Sequence, residues 1–306
     1  MTISAPEFNS ILSKFKINAT CFEDYHDEYV SSYDLTFNVG SKIKNIDKVK
    51  DELALALKSV GRPSIKILHD RGLVNVSFIS KQLESLSVKE SNLFEPNMLT
   101  IGRFYDKSLL KIDLREDPHI LIAGITGSGK STLLHTCISN LLQDNARLVL
   151  VDTKQIEFAR YKGKNVFTCL NYDDAYKAIS VLEQEMLFRY DNFNPNRQKI
   201  VCVIDEFVDL ILQDKDDTLK TKVCSLTQKG RAAGIHFIVA TQRPAASIIS
   251  GAIKANFSAK ISFKMASHFD SKVILDHSGA ENLIGKGDAL ISSSKLFLER
   301  FQAYLP

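Results

Sequence analysis

No run of apolar residues in this 306-residue chain lasts more than a few positions, far short of the ~20 that carry a helix across a bilayer. A membrane-spanning segment is therefore not expected. The start, Met1-Thr2-Ile3-Ser4-Ala5-Pro6, lacks the basic-then-apolar order of a secretory signal. Cysteine is sparse: Cys21, Cys137, Cys169, Cys202 and Cys224 are odd in number, scattered, and form no C-x-x-C pair. That pattern speaks against a disulfide framework or zinc site and for reduced thiols in a cytoplasm. There is no internal repeat and no low-complexity segment. Overall charge is small, +3 from 39 Lys/Arg and 36 Asp/Glu, and names no partner by itself.

The length suits about two domains, and a hydrophobic content of 44% supports ordinary packed cores. Charge is unevenly spread. From Lys220 to Lys272 nine Lys/Arg face one acid, Asp270, a balance of +8 that leaves −5 for the remainder. A basic stretch of this kind suits an anionic partner such as nucleic acid, with a solvated basic surface as the plain alternative.

Residues 15–80 read as a small α+β unit. Tyr33, Leu35, Phe37 and Val39 alternate with polar residues, as in a half-buried strand closed by Gly40. Asp47 to Lys58 reads as a helix with Val49, Leu53, Ala56 and Leu57 on its apolar side, closed by Gly61 and Pro63. Strands follow at 65–68 and 74–78 around the turn Asp70-Arg71-Gly72. Nothing there carries chemistry, so an assembly or positioning role is expected. Residues 81–117 form a mixed connector with a hairpin near Tyr105-Asp106-Lys107-Ser108. Beyond it, apolar strands at 120–123, 148–151, 201–204 and 236–240 alternate with helices, the signature of a parallel sheet covered on both faces.

The most informative stretch joins the first of those strands to a helix. Gly124-Ile125-Thr126-Gly127-Ser128-Gly129-Lys130-Ser131-Thr132 contains a complete G-x-x-x-x-G-K-[ST] loop, followed by apolar residues at Leu133, Leu134, Cys137, Ile138, Leu141 and Leu142. Chance gives the pattern in roughly one chain in a hundred, but the flanking strand and helix make it a phosphate site. Glycines let backbone N–H groups curl around phosphates, and the helix N-terminus adds partial positive charge. Lys130 then reaches the β- and γ-phosphates, and the Ser131 hydroxyl joins a Mg²⁺ shell. ATP with Mg²⁺ is the expected ligand.

Three further segments fit around such a loop. Val201-Cys202-Val203-Ile204-Asp205-Glu206 is an apolar strand ending in two carboxylates, as a Walker B element does. Asp205 suits the Mg²⁺ shell and Glu206 suits deprotonation of the attacking water. Gln242, after the strand at 236–240, has the polar uncharged tip a γ-phosphate sensor needs, or is simply a surface loop residue. Arg231 is a candidate arginine finger for a neighbouring subunit, although from sequence alone a solvated helix-end Arg is the simpler reading.

In order along residues 117–291, these pieces resemble the FtsK/SpoIIIE DNA translocases. The likeness rests on Asp117-Pro118-His119-Ile120-Leu121-Ile122-Ala123-Gly124 leading into the loop, Glu185-Met186 with Arg189-Tyr190, and Asp205-Glu206-Phe207-Val208-Asp209-Leu210. It continues through Gln228 to His236, Ala240-Thr241-Gln242-Arg243-Pro244 and Ile253-Lys254-Ala255-Asn256. Asp270-Ser271, Ile274-Leu275-Asp276 and Gly285-Lys286-Gly287-Asp288 complete it. Residues 15–80 are similar, more loosely, to the ring-forming domain that precedes the motor.

The resemblance implies a homo-hexameric ring pumping double-stranded DNA with ATP. It gives Arg231 the trans-acting role and puts pore-facing positions at Arg243, Lys254, His268 and Lys272. His268 departs from the lysine or arginine usual there. The implied fold is α/β, a RecA-like P-loop ATPase core (101–306) with a small N-terminal α+β domain (1–100). No membrane anchor and no winged-helix reader of DNA orientation are expected, which suits a cytoplasmic motor of a plasmid, phage or other mobile element, with loading left to an unknown partner. A viral DNA-packaging or conjugative coupling ATPase, or a protein-secretion ATPase, remain the alternatives.

Overall fold

The computed structural model describes residues 3–26, 29–60, 62–68, 71–81, 95–105, 107–192, 194 and 197–306. Gly61, Asp70, Asp106 and residues 82–94 of the connector lie outside the described residues. The chain divides into two compact units, Met1–Glu84 with Asn282–Ile284, and Ser85–Glu281 with Gly285–Pro306.

The smaller unit is an antiparallel sheet of β1 (Ala19–His26), β2 (Val30–Phe37), β3 (Ser64–Leu68) and β4 (Leu73–Ile79), in the order β1-β2-β4-β3. Helices α1 (Ala5–Lys14), α2 (Lys44–Lys48) and α3 (Lys50–Ala56) accompany it. Helix α1 precedes the α+β unit expected over residues 15–80, although its start is signalled in the sequence. Glu7 reaches back to accept the Ser4 backbone N–H at 2.9 Å, one half of a capping box. The Phe8 ring stacks on Tyr33 with centroids 4.0 Å apart. The single helix expected over 47–58 is two short ones meeting at Val49, where φ −114° and ψ 20° are not helical. Burial there falls on Ile46 and Leu53, while Ala56 is exposed. Strand β2 ends at Phe37. Val39 is exposed because Ser41 N–H bonds Asn38 O at 3.0 Å and closes a turn, with Gly40 at φ +89°.

The larger unit is built on ten strands: β5 (Met98–Phe104), β6 (Leu109–Asp113), β7 (His119–Ala123), β8 (Arg147–Val151), β9 (Val166–Cys169), β10 (Ile200–Ile204), β11 (Ile235–Thr241), β12 (Ala259–Phe263), β13 (Asp288–Ser292) and β14 (Glu299–Ala303). Their order is β6-β5-β14-β13-β12-β7-β11-β10-β8-β9. The six strands from β12 to β9 are parallel, and the rest form an antiparallel extension. Helices α4 (Lys130–Gln143), α5 (Tyr172–Asp191), α6 (Phe207–Leu212), α7 (Thr218–Ala233), α8 (Gly251–Ala255) and α9 (His268–Leu275) alternate with the parallel strands. Every residue of β7, β10 and β11 is buried, which explains their apolar runs at 120–123, 200–204 and 237–240. No helix among the described residues is long and apolar enough to cross a membrane.

The extension was only partly legible. The hairpin β5–β6 was expected, but its fusion to the parallel sheet through β14 and β13 was not. Gly102 permits it, because a Cβ there would lie 2.8 Å from the Phe301 ring of β14. Helix α4 is tied to the same extension by polar side chains. Asn140 Oδ1 accepts Thr100 N–H at 3.1 Å, and the Thr136 hydroxyl donates to Tyr304 O at 3.0 Å. Leu142, read as part of the apolar stripe, is 40% exposed.

At the N-terminal end of β7 and β11 two histidines are buried together. His119 Nδ1 accepts the Phe237 backbone N–H at 3.1 Å, and His236 Nδ1 lies 3.2 Å from Pro118 O. Burial pushes His119 down to about 3 and His236 down to about 4. Both are neutral in the fold, whereas in the unfolded chain each takes up a proton below its ordinary pKa near 6.5. Stability is therefore full above that pH and falls as pH drops toward 4. Two protons of difference give a slope of about 2–3 kcal/mol per pH unit over that window. Urea unfolding at pH 7 and pH 5 is expected to show this loss, and His119→Asn with His236→Gln to flatten it.

Candidate phosphate-binding site

In a parallel sheet the loops leaving the C-terminal strand ends converge on one edge, and four of them do so here. The loop Gly124–Thr132 leaves β7 and enters α4 at Lys130. Gly127 and Gly129 take φ +75° and +119°, a region that disfavours any side chain. Gly129 is also pressed against the chain, since a Cβ there would meet Gly287 N at 2.8 Å and the Phe263 ring at 3.0 Å. The Ser128 hydroxyl oxygen is buried with no hydrogen-bond partner among the described residues. A cleft of about 460 Å³ opens over the loop, lined further by Glu157, Gln242, Lys286 and Gly287. Glycine conformations and cleft both fit a nucleoside triphosphate.

Lys130 is buried and its Nζ lies 3.0 Å from Asp205 O and 2.5 Å from Asp205 Oδ1. The loop lysine and the strand-end carboxylate thus share one point. Glu206, next in sequence, is held from the end of β11: the Thr241 hydroxyl donates to Oε1 and the Gln242 backbone N–H donates to Oε2 at 2.9 Å. Burial pushes the Glu206 carboxyl above its ordinary range, against the opposing pull of these donors and of Lys130 and Lys154. The Gln242 side chain turns the other way, its Oε1 accepting from Thr126 of the glycine loop at 3.2 Å. Lys130, Asp205, Glu206 and Gln242 are therefore brought together.

Two neighbours of this cluster were missed. After β8, Lys154 Nζ sits 3.8 Å from Glu206 Oε2 and 3.0 Å from Asp209 Oδ2. Three residues later, Glu157 Oε1 accepts the Ser131 hydroxyl at 2.8 Å. Their signal was the position of Asp152-Thr153-Lys154 just past an apolar parallel strand, where the convergence rule places site residues. Among the described residues no group of three or more His, Cys, Asp or Glu could hold a metal. Oxygens from Ser131 and Asp205 suit Mg²⁺, which takes few protein ligands and completes its shell with phosphates and water.

The remaining sequence candidates lie elsewhere. Arg231 is exposed in the last turn of α7, just before β11 begins. The seven residues of β11 separate it from the loop edge by about 20 Å, at ~3.3 Å per residue. It cannot act on its own chain's loop. Arg243, His268 and Lys272 are exposed, whereas Lys254 pairs with Asp276 at 2.5 Å. Lys260 pairs with the same carboxylate at 3.3 Å, and Lys222 with Glu183 at 2.5 Å.

Alanine at the two positive-φ glycines separates conformation from packing. Gly127→Ala meets no atom within 4 Å and is expected to lose ~1 kcal/mol from backbone strain alone. Gly129→Ala adds a clash with the Gly287 backbone and is expected to lose ~3 kcal/mol. Denaturant titration of the two variants measures the difference.

The comparisons with known proteins agree with this geometry. The FtsK/SpoIIIE family profile matches residues 86–197 and 191–246, together more than half of the chain. The DNA translocase FtsK of Clostridium acetobutylicum is 31% identical over 94% of this chain and 42% of its own length. That of Borreliella burgdorferi is 33% identical over 95% and 41%. The chain thus spans about two fifths of these relatives. Among solved structures, the pCW3 conjugation coupling protein TcpA, monomer form with ATPγS, superposes with TM-score 0.70 at 22% identity, covering 98% of this chain and 94% of that one. The cytoplasmic domain of the Thermomonospora curvata type VII secretion ATPase EccC gives 0.61 at 20% identity, covering 73% and 32%. The two structures share the P-loop ATPase fold, and the profile match supplies the lineage: the chain belongs to the FtsK/SpoIIIE family.

Proposed function

We propose that this chain is the motor portion of an ATP-driven double-stranded DNA translocase, cytoplasmic and working as a homo-hexamer. The observation that carries the reading is the meeting of three segments at one sheet edge: the glycine loop after β7, Asp205-Glu206 after β10 and Gln242 after β11. Membership of a family whose relatives are named DNA translocases supports the substrate.

In this reading Lys130 leaves Asp205 for the β- and γ-phosphate oxygens, and Ser131 and Asp205 offer oxygens to Mg²⁺. Bound Mg²⁺ supplies positive charge beside the phosphates. Glu206, aimed by Thr241 and Gln242, takes the proton of the attacking water, and its raised pKa makes it a better base than an ordinary carboxylate. Gln242, anchored to Thr126, links the γ-phosphate end to β11. Arg231 acts on the ATP of a neighbouring copy, consistent with its distance from its own loop. Residues 1–100 would help form the ring and residues 101–306 carry the motor. Arg243, His268 and Lys272 would contact DNA phosphates, independently of base sequence. Lys254 contributes less than its sequence position suggests, being paired with Asp276.

The full-length fold match to a conjugation coupling protein keeps DNA transfer between cells as a second reading of the same motor. The matches to secretion ATPases cover about three quarters of the chain. Linear duplex DNA is expected to stimulate ATP hydrolysis several-fold, with stimulation falling steeply as salt rises. No stimulation at any salt would favour a secretion motor. As an internal control, Glu206→Gln should bind ATP normally and hydrolyse it about 10²–10⁴-fold more slowly.

Subunit mixing tests Arg231. Arg231→Ala and Lys130→Ala should each be inactive alone, the former by about 10³-fold or more. Their mixture should recover activity, because some interfaces then hold Lys130 from one chain and Arg231 from the next. Normal turnover by Arg231→Ala alone would remove it from the finger role.

A further inference from the structure

One acidic side chain reaches the cleft from an element outside the loop and the strand-end pair. Past β8 the chain turns at Asp152, whose Oδ2 accepts the backbone N–H groups of Glu157 at 2.8 Å and Phe158 at 2.9 Å. The Phe158 ring is fully buried and fixes that turn in the core. Glu157 is thereby set against the first turns of α4, where Ser131 and His135, four residues apart, share a face. Its Oε1 accepts the Ser131 hydroxyl at 2.8 Å, and its Oε2 lies 3.2 Å from His135 Nε2. His135 is braced in turn by Tyr161, with Nδ1 2.8 Å from the phenol oxygen. Both Glu157 oxygens are thus held, and the side chain lines the cleft beside Lys130 and Ser131.

A hydroxyl that ligates a cation uses an oxygen lone pair, so its single proton must point to an acceptor elsewhere. The acceptor that Ser131 meets in this structure is Glu157. We propose that Glu157 is a positioning residue for the magnesium–nucleotide complex: it accepts the Ser131 hydroxyl's hydrogen bond and so aims the oxygen lone pair at the cation. This rests on the nucleotide-binding reading above and extends it to a residue outside the recognised motifs. A merely structural Glu157 would tie the 152–158 turn to α4 and leave the Mg²⁺ requirement unchanged.

The two roles separate in binding, without turnover. The full chain, Glu157→Ala and Glu157→Gln are titrated with a fluorescent ATP analogue, first in EDTA and then with rising Mg²⁺. Nucleotide affinity in EDTA is expected to be equal in all three. The Mg²⁺ midpoint should rise about tenfold in Glu157→Ala, at the lower end of what outer-shell partners of a metal contribute. Glu157→Gln still accepts a hydrogen bond and should recover most of that loss. A midpoint within twofold of the parent in Glu157→Ala overturns the proposal. So does an equal loss of affinity with and without Mg²⁺, or a glutamine variant no better than alanine. Should the alanine variant melt below the assay temperature, Glu157→Asp withdraws the carboxylate by one methylene and is expected to raise the midpoint. An unchanged midpoint there overturns the proposal equally. A parent protein that binds no nucleotide under any condition overturns the nucleotide reading itself, a failure distinct from these.

Discussion

The site depends on the register of three buried parallel strands. Ile204 of β10 lies opposite Val239 of β11, and Thr241 of β11 opposite Ala123 of β7. That alignment carries Glu206 up beside Thr241 and delivers the glycine loop alongside both. A one-residue slip would turn every side chain of a strand to the other face. It would also part Glu206 from the Thr241 hydroxyl and the Gln242 amide. With every residue of the three strands buried, the packing on both faces opposes such a slip. The apolar sequences at 120–123, 201–204 and 236–240 therefore do more than fill a core: they set the relative heights of the polar residues that follow them.

Those polar residues are costly to the fold that holds them. Lys130, Asp205 and Glu206 are all buried, and removing charges from water costs several kcal/mol each before pairing returns part of it. Lys130 and Asp205 offset each other at 2.5 Å. Glu206 has weaker help, with Lys154 at 3.8 Å and two neutral donors, and its raised pKa records that imbalance. A carboxylate held only by neutral donors and a distant cation stays basic enough to accept a proton. One bound tightly to Lys or Arg would not. The division of labour between two adjacent acids, one paired with a cation and one held by a hydroxyl and an amide, follows from which strand end each one faces.

Much of this was legible in sequence because it is local. The loop pattern, the apolar strand before it and the helix after it are contiguous, and the carboxylate pair closes its own strand. What was not legible depended on contacts between distant segments. Glu157 is defined by Ser131, 26 positions earlier, and no spacing rule announces that pair. Gly102 reads as an ordinary strand glycine until Phe301 packs on it. Helix α1 was missed for a different reason: its Ser4–Glu7 signal lies within the sequence, but its apolar face is short, and the stack of Phe8 on Tyr33 that stabilises it is tertiary. Several family signatures prove to be structural pegs. Arg189 bonds Glu185 at 2.8 Å and the Ala233 carbonyl at 2.9 Å, closing the end of α7. Asp117 accepts from Ser294 N–H and hydroxyl at 3.1 and 3.0 Å.

Charge was the feature most distorted by reading along the chain. The +8 stretch counts cations by sequence, whereas the surface counts those left without a partner. Glu183 and Asp276 both lie outside the stretch, yet they neutralise Lys222 and engage Lys254 and Lys260. Asp276 ends α9 beside the residues leading into β12, so it holds Lys254 at the end of the sheet opposite the glycine loop. Arg243 leaves β11 at the loop edge, and His268 and Lys272 stand one turn apart on exposed positions of α9. Exposed cations of the stretch therefore stand at both ends of the sheet, Arg243 at the glycine-loop edge and Lys229 and Arg231 at the far end of α7. Gln242, adjacent in sequence to Arg243, ties the start of that exposed cation's loop to the glycine loop through Thr126.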